Sequence, residues 1–262
     1  MTPNRLPALF LGHGTPMNAL ESNTFTAAWR ALGEALPRPK AILAVSAHWY
    51  TRGLFVTSNE RPPTIHDFGG FPRPLYEMQY PAPGAPALAA RVAESLAEHG
   101  AEPVDNWGLD HGTWSVLVHM YPPADIPVVQ VSIDGRQPLA YHRTIGQSLA
   151  RFRDEGVLVL GSGGIVHNLG RLARDRSGPT PPWAEEFDGW VRERAVVGDV
   201  VGLTDFASRG DPARLSVPTP EHYLPLLYVL GTQQPGETVS VPVAGFDLGS
   251  LSMTSFQVGV AA

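Results

Sequence analysis

Short apolar segments rich in β-branched residues alternate with longer helix-like segments along most of this 262-residue sequence. Apolar runs of about four to eight residues, bounded by turn signals, are typical of strands buried on both faces of a sheet. The predicted strands are Ala8–Leu11, Ala41–Ala47, Pro127–Ile133, Val157–Leu160 and Thr238–Val243. The predicted helices are approximately Asn23–Leu36, Pro86–His99, Pro138–Asp154, Pro182–Val197 and Thr219–Leu230. This alternation predicts a single α/β domain over residues 1–262, with a mostly parallel central sheet and helices on both faces, an α/β/α sandwich.

The composition excludes several classes of protein. With 43% hydrophobic and 17% charged residues, a chain of this length can bury a sizeable core. A formal net charge of −6 offers no basic surface for a phosphate backbone, so we expect no nucleic-acid partner. No apolar run approaches the roughly 20 residues that span a bilayer, and the N-terminal segment lacks a secretory signal pattern, so we expect a cytoplasmic protein without a membrane partner. Because the sequence contains no cysteine, any bound metal must have nitrogen and oxygen ligands.

Four histidines lie where an apolar run meets a turn rich in glycine or proline: His13, His48, His167 and His222. In an open α/β sheet, the loops that leave the carboxyl ends of the strands converge on one crevice. Neutral imidazoles that meet in such a crevice are good ligands for a divalent metal ion. The sequence therefore predicts a metal site built from these histidines.

The last of these histidines has a neighbour that competes for the same role. If Thr219 caps a helix that Pro220 opens, His222 occupies the third helical position, where the positive end of the helix dipole keeps an imidazole neutral. Glu221 is the alternative ligand. Since neighbouring side chains on a helix point about 100° apart, only one of the two is expected to reach the metal, and His222 is favoured.

Three further residues are candidates for contacts around the metal. His111 lies in a turn between Gly108 and Gly112 and is interpreted either as an acid–base residue or as a residue that contacts the metal ligands. Asp110 and Asp134 are candidates for hydrogen bonds that orient imidazoles. An ordinary role as turn residues is the alternative for both aspartates.

The segment Arg61–Pro86 is unusually dense in proline, glycine and aromatic residues. Long irregular loops inside a compact domain are uncommon and often functional. We therefore predict a lid over the site, with His66 as a substrate contact; a purely structural surface loop is the alternative. Tyr50, shortly after His48, is the second predicted substrate contact.

Several motifs together carry a resemblance that covers most of the chain. They are LFLGHGTPMNAL, AILAVSAHWYTRG, PPTIHDFGGFPRPLYEMQYPAPG, WGLDHGTWSVL, DIPVVQVSID, VHNLG, VPTPEHYLPLLYVLG and GSLSM, with Val217 departing from the asparagine of the family pattern. The chain resembles the 4,5-DOPA extradiol dioxygenases, a family within the class III extradiol ring-cleavage enzymes. The resemblance implies the single α/β domain of that class, a small aromatic diol and O₂ as substrates, and one divalent metal ion per chain. The metal is Fe(II) in the catalytic form, with Zn(II) often present on isolation.

The resemblance also implies roles for individual histidines. His13, His48 and His222 correspond to the metal ligands. His167 corresponds either to a further metal neighbour or to the acid–base histidine, and His111 matches a second acid–base histidine. The expected reaction inserts O₂ into a catechol such as DOPA and opens the ring beside the hydroxyls.

Two alternatives use the same residues. A zinc-dependent hydrolase would activate a metal-bound water, with His167 or Glu221 as the base. A non-enzymatic protein that binds a metal or a small ligand is the other, since a fold alone does not fix function. The sequence leaves open whether the chain is a monomer or a homodimer.

Overall fold

The computed structural model describes residues 5–173 and 178–260. Its strands are β1 (Ala8–Gly12), β2 (Ala41–Thr51), β3 (Phe55–Thr57), β4 (Glu102–Val104), β5 (Val128–Asp134), β6 (Val157–Gly163), β7 (Thr238–Val243), β8 (Phe246–Asp247), β9 (Leu251–Ser252) and β10 (Ser255–Val260). Eight of them form one sheet in the order β4-β3-β5-β2-β6-β1-β10-β7, while β8 and β9 pair separately.

The centre of the sheet is parallel, as predicted. Strands β5, β2, β6 and β1 pair in parallel with one another, whereas β3 is antiparallel to β5, and β10 and β7 add an antiparallel edge beside β1. Parallel strands need crossover connections, and the helices supply them. The predicted α/β fold with a mostly parallel sheet flanked by helices is confirmed.

The helices that surround the sheet include all five that the sequence predicted. They are α1 (Thr24–Ala35), α2 (Arg73–Glu77), α3 (Pro86–Ser95), α4 (His111–Met120), α5 (Leu139–Asp154), α6 (Pro182–Val196), α7 (Val200–Leu203), α8 (Asp211–Ser216) and α9 (Leu224–Gly231). Within the described residues, no helix has both the length and the apolar character needed to cross a membrane.

Each face of the sheet has its own apolar core. Leu43 and Val45 of β2 pack in one cluster with residues of α3, α5, α6 and α9. Ile42 and Ala44 of the same strand pack in a second cluster with residues of α1 and α4. Because successive side chains of a strand point to opposite faces, an unbroken apolar run can supply both cores.

The last helix begins later than predicted. Helix α9 starts at Leu224, and His222 lies in the turn before it rather than at a third helical position. Thr219 does not cap the helix, because its hydroxyl donates to the Glu221 carboxylate at 2.7 Å. Pro225 gives the physical reason: it has no N–H to donate to the Glu221 carbonyl, so it is tolerated only in a first turn.

A missed helix, α4, begins at His111, which the sequence analysis placed in a turn. Nearly all of its residues are buried, so it lacks the alternation of polar and apolar faces that reveals a surface helix. His48 also differs slightly from its predicted place. It lies inside β2, which continues to Thr51, rather than after the end of the strand.

Candidate metal centre

Five histidine rings line one cavity of about 500 Å³: His13, His48, His111, His167 and His222. His13 directly follows β1, His48 lies near the end of β2, and His167 follows β6. Because β1, β6 and β2 are parallel neighbours, their carboxyl ends lie at the same edge of the sheet. The convergence predicted from the strand ends is therefore present.

Three of these rings bring their nitrogens together. The Nε2 atoms of His13 and His48 are 3.3 Å apart. The potential ligand atoms of His13, His48 and His222 all lie within 4.8 Å of one another. This triad has the spacing of residues that share one metal ion.

Neighbouring groups fix which nitrogen of two rings carries the proton. The Ser162 hydroxyl donates to the Gly112 carbonyl, so it accepts a hydrogen bond from Nδ1 of His13 at 2.9 Å. Nδ1 of His222 donates to the Glu221 carboxylate at 3.3 Å. In both rings the unshared electron pair is then on Nε2, the nitrogen available to a metal.

Asp67 contacts two further rings, and the sequence analysis did not single it out. Its Oδ2 lies 3.2 Å from Nδ1 of His48, and its Oδ1 lies 3.0 Å from Nδ1 of His111. The His111 contact is too bent for a ring hydrogen bond, but the backbone N–H of His111 donates to the same oxygen at 2.9 Å. Burial alone would raise the pKa of Asp67, yet its interactions with the two rings outweigh this effect and hold the pKa well below its usual value.

The triad fits a divalent cation. Nε2 of His222 is buried and has no hydrogen-bond partner. Nε2 of His13 and Nε2 of His48 lie 3.3 Å apart, close enough to share one proton or one cation. Nitrogens bound to a tetrahedral ion at about 2.0–2.1 Å are about 3.3 Å apart, which matches the observed separation. An all-imidazole donor set suits iron, zinc, copper and nickel.

Burial keeps the imidazoles of His13 and His222 in the neutral, ligating form. It lowers the pKa of His13 and of His222 well below the usual value, and the neighbouring rings lower both further. Burial also lowers the pKa of His111, against the raising effect of Asp67. At neutral pH the unshared pairs are therefore free.

His167 occupies a different position from the triad. Its ring stacks on that of His222, with centroids 3.5 Å apart and planes 5° from parallel. Among the described residues, His167 belongs neither to the triad nor to a second group, His48, Asp67 and His111, whose potential ligand atoms also lie within 4.8 Å of one another. Burial, together with the nearby His48, lowers its pKa to about 4. His167 is therefore a neutral base beside the triad at neutral pH.

The comparisons with known proteins agree with this arrangement. The family described as the catalytic LigB subunit of aromatic ring-opening dioxygenase matches residues 7–243. The chain belongs to the LigB family. A 4,5-DOPA dioxygenase extradiol of Escherichia coli K12 is 51% identical over 99% of this chain and 97% of that protein. A protein of the same name from Beta vulgaris is 37% identical over 95% of this chain and 94% of its own length.

A solved structure shares the fold of this LigB family member. The crystal structure of an uncharacterized protein from Escherichia coli K12 superimposes with a TM-score of 0.84 at 48% identity, and it covers 97% of this chain and 100% of that chain. The family and fold class predicted from the sequence motifs are thus confirmed.

Asp110 and Asp134 of this LigB family member were predicted to orient imidazoles, but both accept hydrogen bonds from other groups. Asp110 caps α4 and accepts hydrogen bonds from Ser46 at 2.6 Å and from Gln130 at 2.8 Å. Asp134 accepts from the backbone and side chain of Arg136. Both carboxylates are occupied by nearer donors, so neither makes a hydrogen bond to an imidazole.

The carboxylates that do contact the triad are Glu221 and Asp67. Of the two alternatives for the metal ligand, His222 contributes a nitrogen to the triad, and Glu221 accepts a hydrogen bond from Nδ1 of His222. One sequence feature could have pointed to Asp67 as a contact of the histidine cluster: it is a carboxylate next to a histidine, His66, inside the aromatic-rich segment. Sequence adjacency favoured Asp110 because it directly precedes His111.

The segment Arg61–Pro86, predicted as a lid, supplies part of the cavity wall. Asp67, Phe68, Gly69 and Phe71 line the cavity from this side. The remaining apolar wall comes from leucines of other segments, namely Leu169, Leu172, Leu248 and Leu251. The cavity is therefore lined by histidines at one end and by aromatic and aliphatic side chains around its mouth.

The two predicted substrate contacts do not line this cavity. Nε2 of His66 lies 2.9 Å from the Met78 carbonyl, and its ring packs against Phe68 and Trp114. Tyr50 lies beyond a register shift in β2, and its hydroxyl donates to the Gly135 carbonyl at 3.3 Å. Each side chain is turned towards a backbone acceptor elsewhere, whereas Phe68 and Phe71 line the cavity.

Proposed function

We propose that this protein is a metal-dependent extradiol dioxygenase that opens the ring of a catechol such as DOPA beside its hydroxyls, as one catalytic domain over residues 1–262. One observation carries the proposal: three imidazoles, from His13, His48 and His222, share a site in a cavity that also holds two other histidines and an aromatic wall. Membership of the LigB family and 51% identity to a 4,5-DOPA dioxygenase extradiol support the reaction and the substrate class.

We assign His13, His48 and His222 as the ligands of one divalent ion per chain, Fe(II) in the active form and Zn(II) as the alternative on isolation. When bound, Fe(II) would bring the catechol oxygens and O₂ to one centre and provide a path for electrons between them. Ser162 and Glu221 support this assignment because each holds the Nδ1–H of a ligand and leaves its Nε2 free.

His167 and His111 are the proposed acid–base residues. With a pKa of about 4, the His167 ring is unprotonated at neutral pH and can accept a hydroxyl proton from the catechol. Nδ1 of His111 faces Asp67, which leaves its Nε2 to hold or return a proton. A positioned proton transfer of this kind contributes roughly 10²–10⁴-fold to a rate. Phe68 and Phe71 would pack on the aromatic ring and exclude water.

The experiment that tests this function is anaerobic reconstitution with Fe(II), followed by catechols and air. We expect oxygen uptake together with the absorbance of a yellow ring-opened product, and neither signal from the His13→Ala variant. Oxygen uptake no greater than that of His13→Ala, across several catechols including DOPA, would contradict the proposal. Hydrolysis of an ester or amide by the zinc form, without oxygen consumption, would select the hydrolase alternative. Binding of catechol without turnover by any metal form would select the non-enzymatic alternative.

We further propose a cytoplasmic monomer or homodimer that acts on small molecules rather than on nucleic acid or a membrane surface. The net charge of −6 supports the exclusion of nucleic acid. Analytical ultracentrifugation would decide between monomer and dimer.

A further inference from the structure

Asp67 reaches the metal centre from outside the sheet. It lies in the segment before α2, and its side chain is 18% exposed between the rings of His48 and His111. One carboxylate oxygen faces Nδ1 of His48 at 3.2 Å, and the other takes the backbone N–H of His111 at 2.9 Å. A single side chain thus contacts one proposed metal ligand and one proposed acid–base residue.

The chain around Asp67 is held firmly in place. The backbone N–H of Ile65 donates to the Leu109 carbonyl at 2.7 Å, and the indole N–H of Trp114 donates to the Ile65 carbonyl at 2.8 Å. The next residue along the chain, Phe68, packs edge-on against His111 with ring centroids 5.4 Å apart. The carboxylate and the aromatic wall therefore belong to one anchored piece of chain.

The chemistry of a carboxylate beside two imidazoles has a definite consequence. The negative charge of the carboxylate lies close to both Nδ1 atoms, so it favours the tautomer of each ring with hydrogen on Nδ1, at His111 through charge alone because that contact is too bent for a hydrogen bond. A cation bound at Nε2 of His48 would make its Nδ1–H a stronger donor and so strengthen the contact with Asp67. Metal binding should then stabilise the segment that carries Asp67 and Phe68.

We propose that Asp67 is a positioning residue that sets the ring tautomers of His48 and His111 and couples metal binding to the order of the aromatic wall. The inference rests on the proposed function only through the assignment of His48 as a ligand. Because coupling between two events is reciprocal, a wall held in place by Asp67 also raises the affinity for metal.

The test uses full-length metal-free protein and Zn(II), without oxygen or substrate. Competition with a chromophoric chelator gives the Zn(II) affinity of the wild type, Asp67→Asn, Asp67→Glu and the matched control Asp105→Asn, which removes an exposed carboxylate outside the cavity. We expect Asp67→Asn to weaken Zn(II) binding by roughly 10–100-fold and Asp105→Asn to leave it unchanged. Asp67→Glu restores the charge on a longer side chain and should fall between them.

Two further readouts separate positioning from a purely structural role. In ¹⁵N NMR of the metal-free form, where no cation fixes the protonated nitrogen, the wild type should show Nδ1–H tautomers at His48 and His111, and Asp67→Asn should lose at least the His48 signal. In hydrogen exchange, Zn(II) should protect residues 66–71 in the wild type and in Asp105→Asn, but not in Asp67→Asn. The proposal would be overturned if Asp67→Asn folds, binds Zn(II) as tightly as Asp105→Asn, keeps the Nδ1–H tautomers of His48 and His111, and still shows zinc-dependent protection of residues 66–71 from hydrogen exchange. If Asp67→Asn does not fold, Asp67→Glu with unaltered values on all three measurements overturns it.

The His48→Ala variant keeps this test distinct from the proposed function. If His48→Ala binds Zn(II) as tightly as the wild type, the ligand assignment is wrong, and the coupling fails with it. The other outcome is that His48→Ala loses Zn(II) affinity while the wild type shows the predicted effects of Asp67 but no ring opening with any catechol. In that case the dioxygenase proposal fails and the role of Asp67 stands.

Discussion

His167 stacks on His222 but lies outside the three rings whose nitrogens face one another. We predict that His167→Ala retains about one metal ion per chain and loses roughly 10²–10⁴-fold in turnover, because the variant removes a proton acceptor and no ligand. Metal analysis and initial rates measured on the same sample check this. His99→Ala, a histidine variant outside the cavity, is the control. Stoichiometric loss of metal from His167→Ala would instead make His167 a fourth ligand.

A buried histidine away from the metal centre makes stability depend on pH. His142 lies in α5, and burial lowers its pKa to about 4 against the raising effect of the Gln137 carbonyl. The unfolded chain, with a histidine pKa near 6.5, binds more protons than the folded chain between pH 6.5 and 4. The stability contributed by neutral His142 is therefore complete above pH 6.5 and is lost as the pH falls towards 4.

We predict that His142→Gln flattens this pH dependence. Between pH 7 and pH 5, the metal-free wild type should lose about 2 kcal/mol more unfolding free energy than the variant, since one proton is taken up only on unfolding. Urea unfolding at several pH values in the presence of a chelator measures the difference. From pH 7 to pH 9 the unfolding free energies of the wild type and His142→Gln, plotted against pH, should run parallel. Parallel curves down to pH 5 as well would show that His142 is not the group responsible.

At the scale of elements, the start of α4 packs directly against β2 below the metal centre. Gly112, in the first turn of α4, leaves no room for a side chain: an added Cβ would overlap Ser46 Oγ and lie 2.8 Å from Cδ2 of His48. Alanine is the better helix former by about 1 kcal/mol, but here the clash with a strand outweighs that preference. The close approach of helix and strand therefore helps to fix the position of His48.

We predict that Gly112→Ala weakens metal binding by displacing His48. The matched control is Gly189→Ala in α6, where the nearest atom to an added Cβ is an arginine nitrogen 3.8 Å away. This control should raise the unfolding free energy by up to about 1 kcal/mol and leave metal affinity unchanged. Thermal unfolding and chelator competition on both variants make the comparison. Equal metal affinities for the two variants would contradict the packing argument.

At the scale of the whole molecule, one buried arginine ties together segments that are distant in sequence. Arg153 is fully buried, and its guanidinium pairs with Glu237 through two contacts of 2.8 Å. It also donates to the carbonyls of Leu6, Thr232 and Val258. Burial would raise the pKa of Glu237, but the hydrogen bonds from Arg153 reverse this effect and lower it. The pair joins the end of α5 to the segments before β1 and β7 and to β10.

We predict that Arg153→Met lowers the unfolding free energy by about 3–5 kcal/mol, because it removes the buried guanidinium that pairs with the partly buried Glu237 carboxylate and donates to three carbonyls. Arg151→Met, on the exposed side of the same helix, should change it by less than about 1 kcal/mol. Urea unfolding measures both. Metal affinity should remain that of the wild type in each folded variant, since neither arginine contacts the histidines.

The sequence by itself determined the fold class and most of the metal site. Apolar runs such as Ala41–Val45 are typical of strands buried on both faces, which predicts a mostly parallel sheet with helices on either side. Because the carboxyl ends of such strands share one edge, His13, His48 and His167 were expected to lie close together. His222 was singled out by its place between a proline-rich turn and an apolar run, and the family motifs pointed to the same residue.

Only the tertiary structure decided what surrounds the rings. The contacts of Asp67 with His48 and His111 join a loop to a strand and a helix, and no local pattern encodes a contact between residues so far apart in sequence. Helix α4 was not among the predicted helices, because a helix buried on all sides lacks the periodic alternation of polar and apolar residues that identifies a surface helix. Local rules specify which segments form strands and helices, but the partners of a buried polar group depend on how those segments pack.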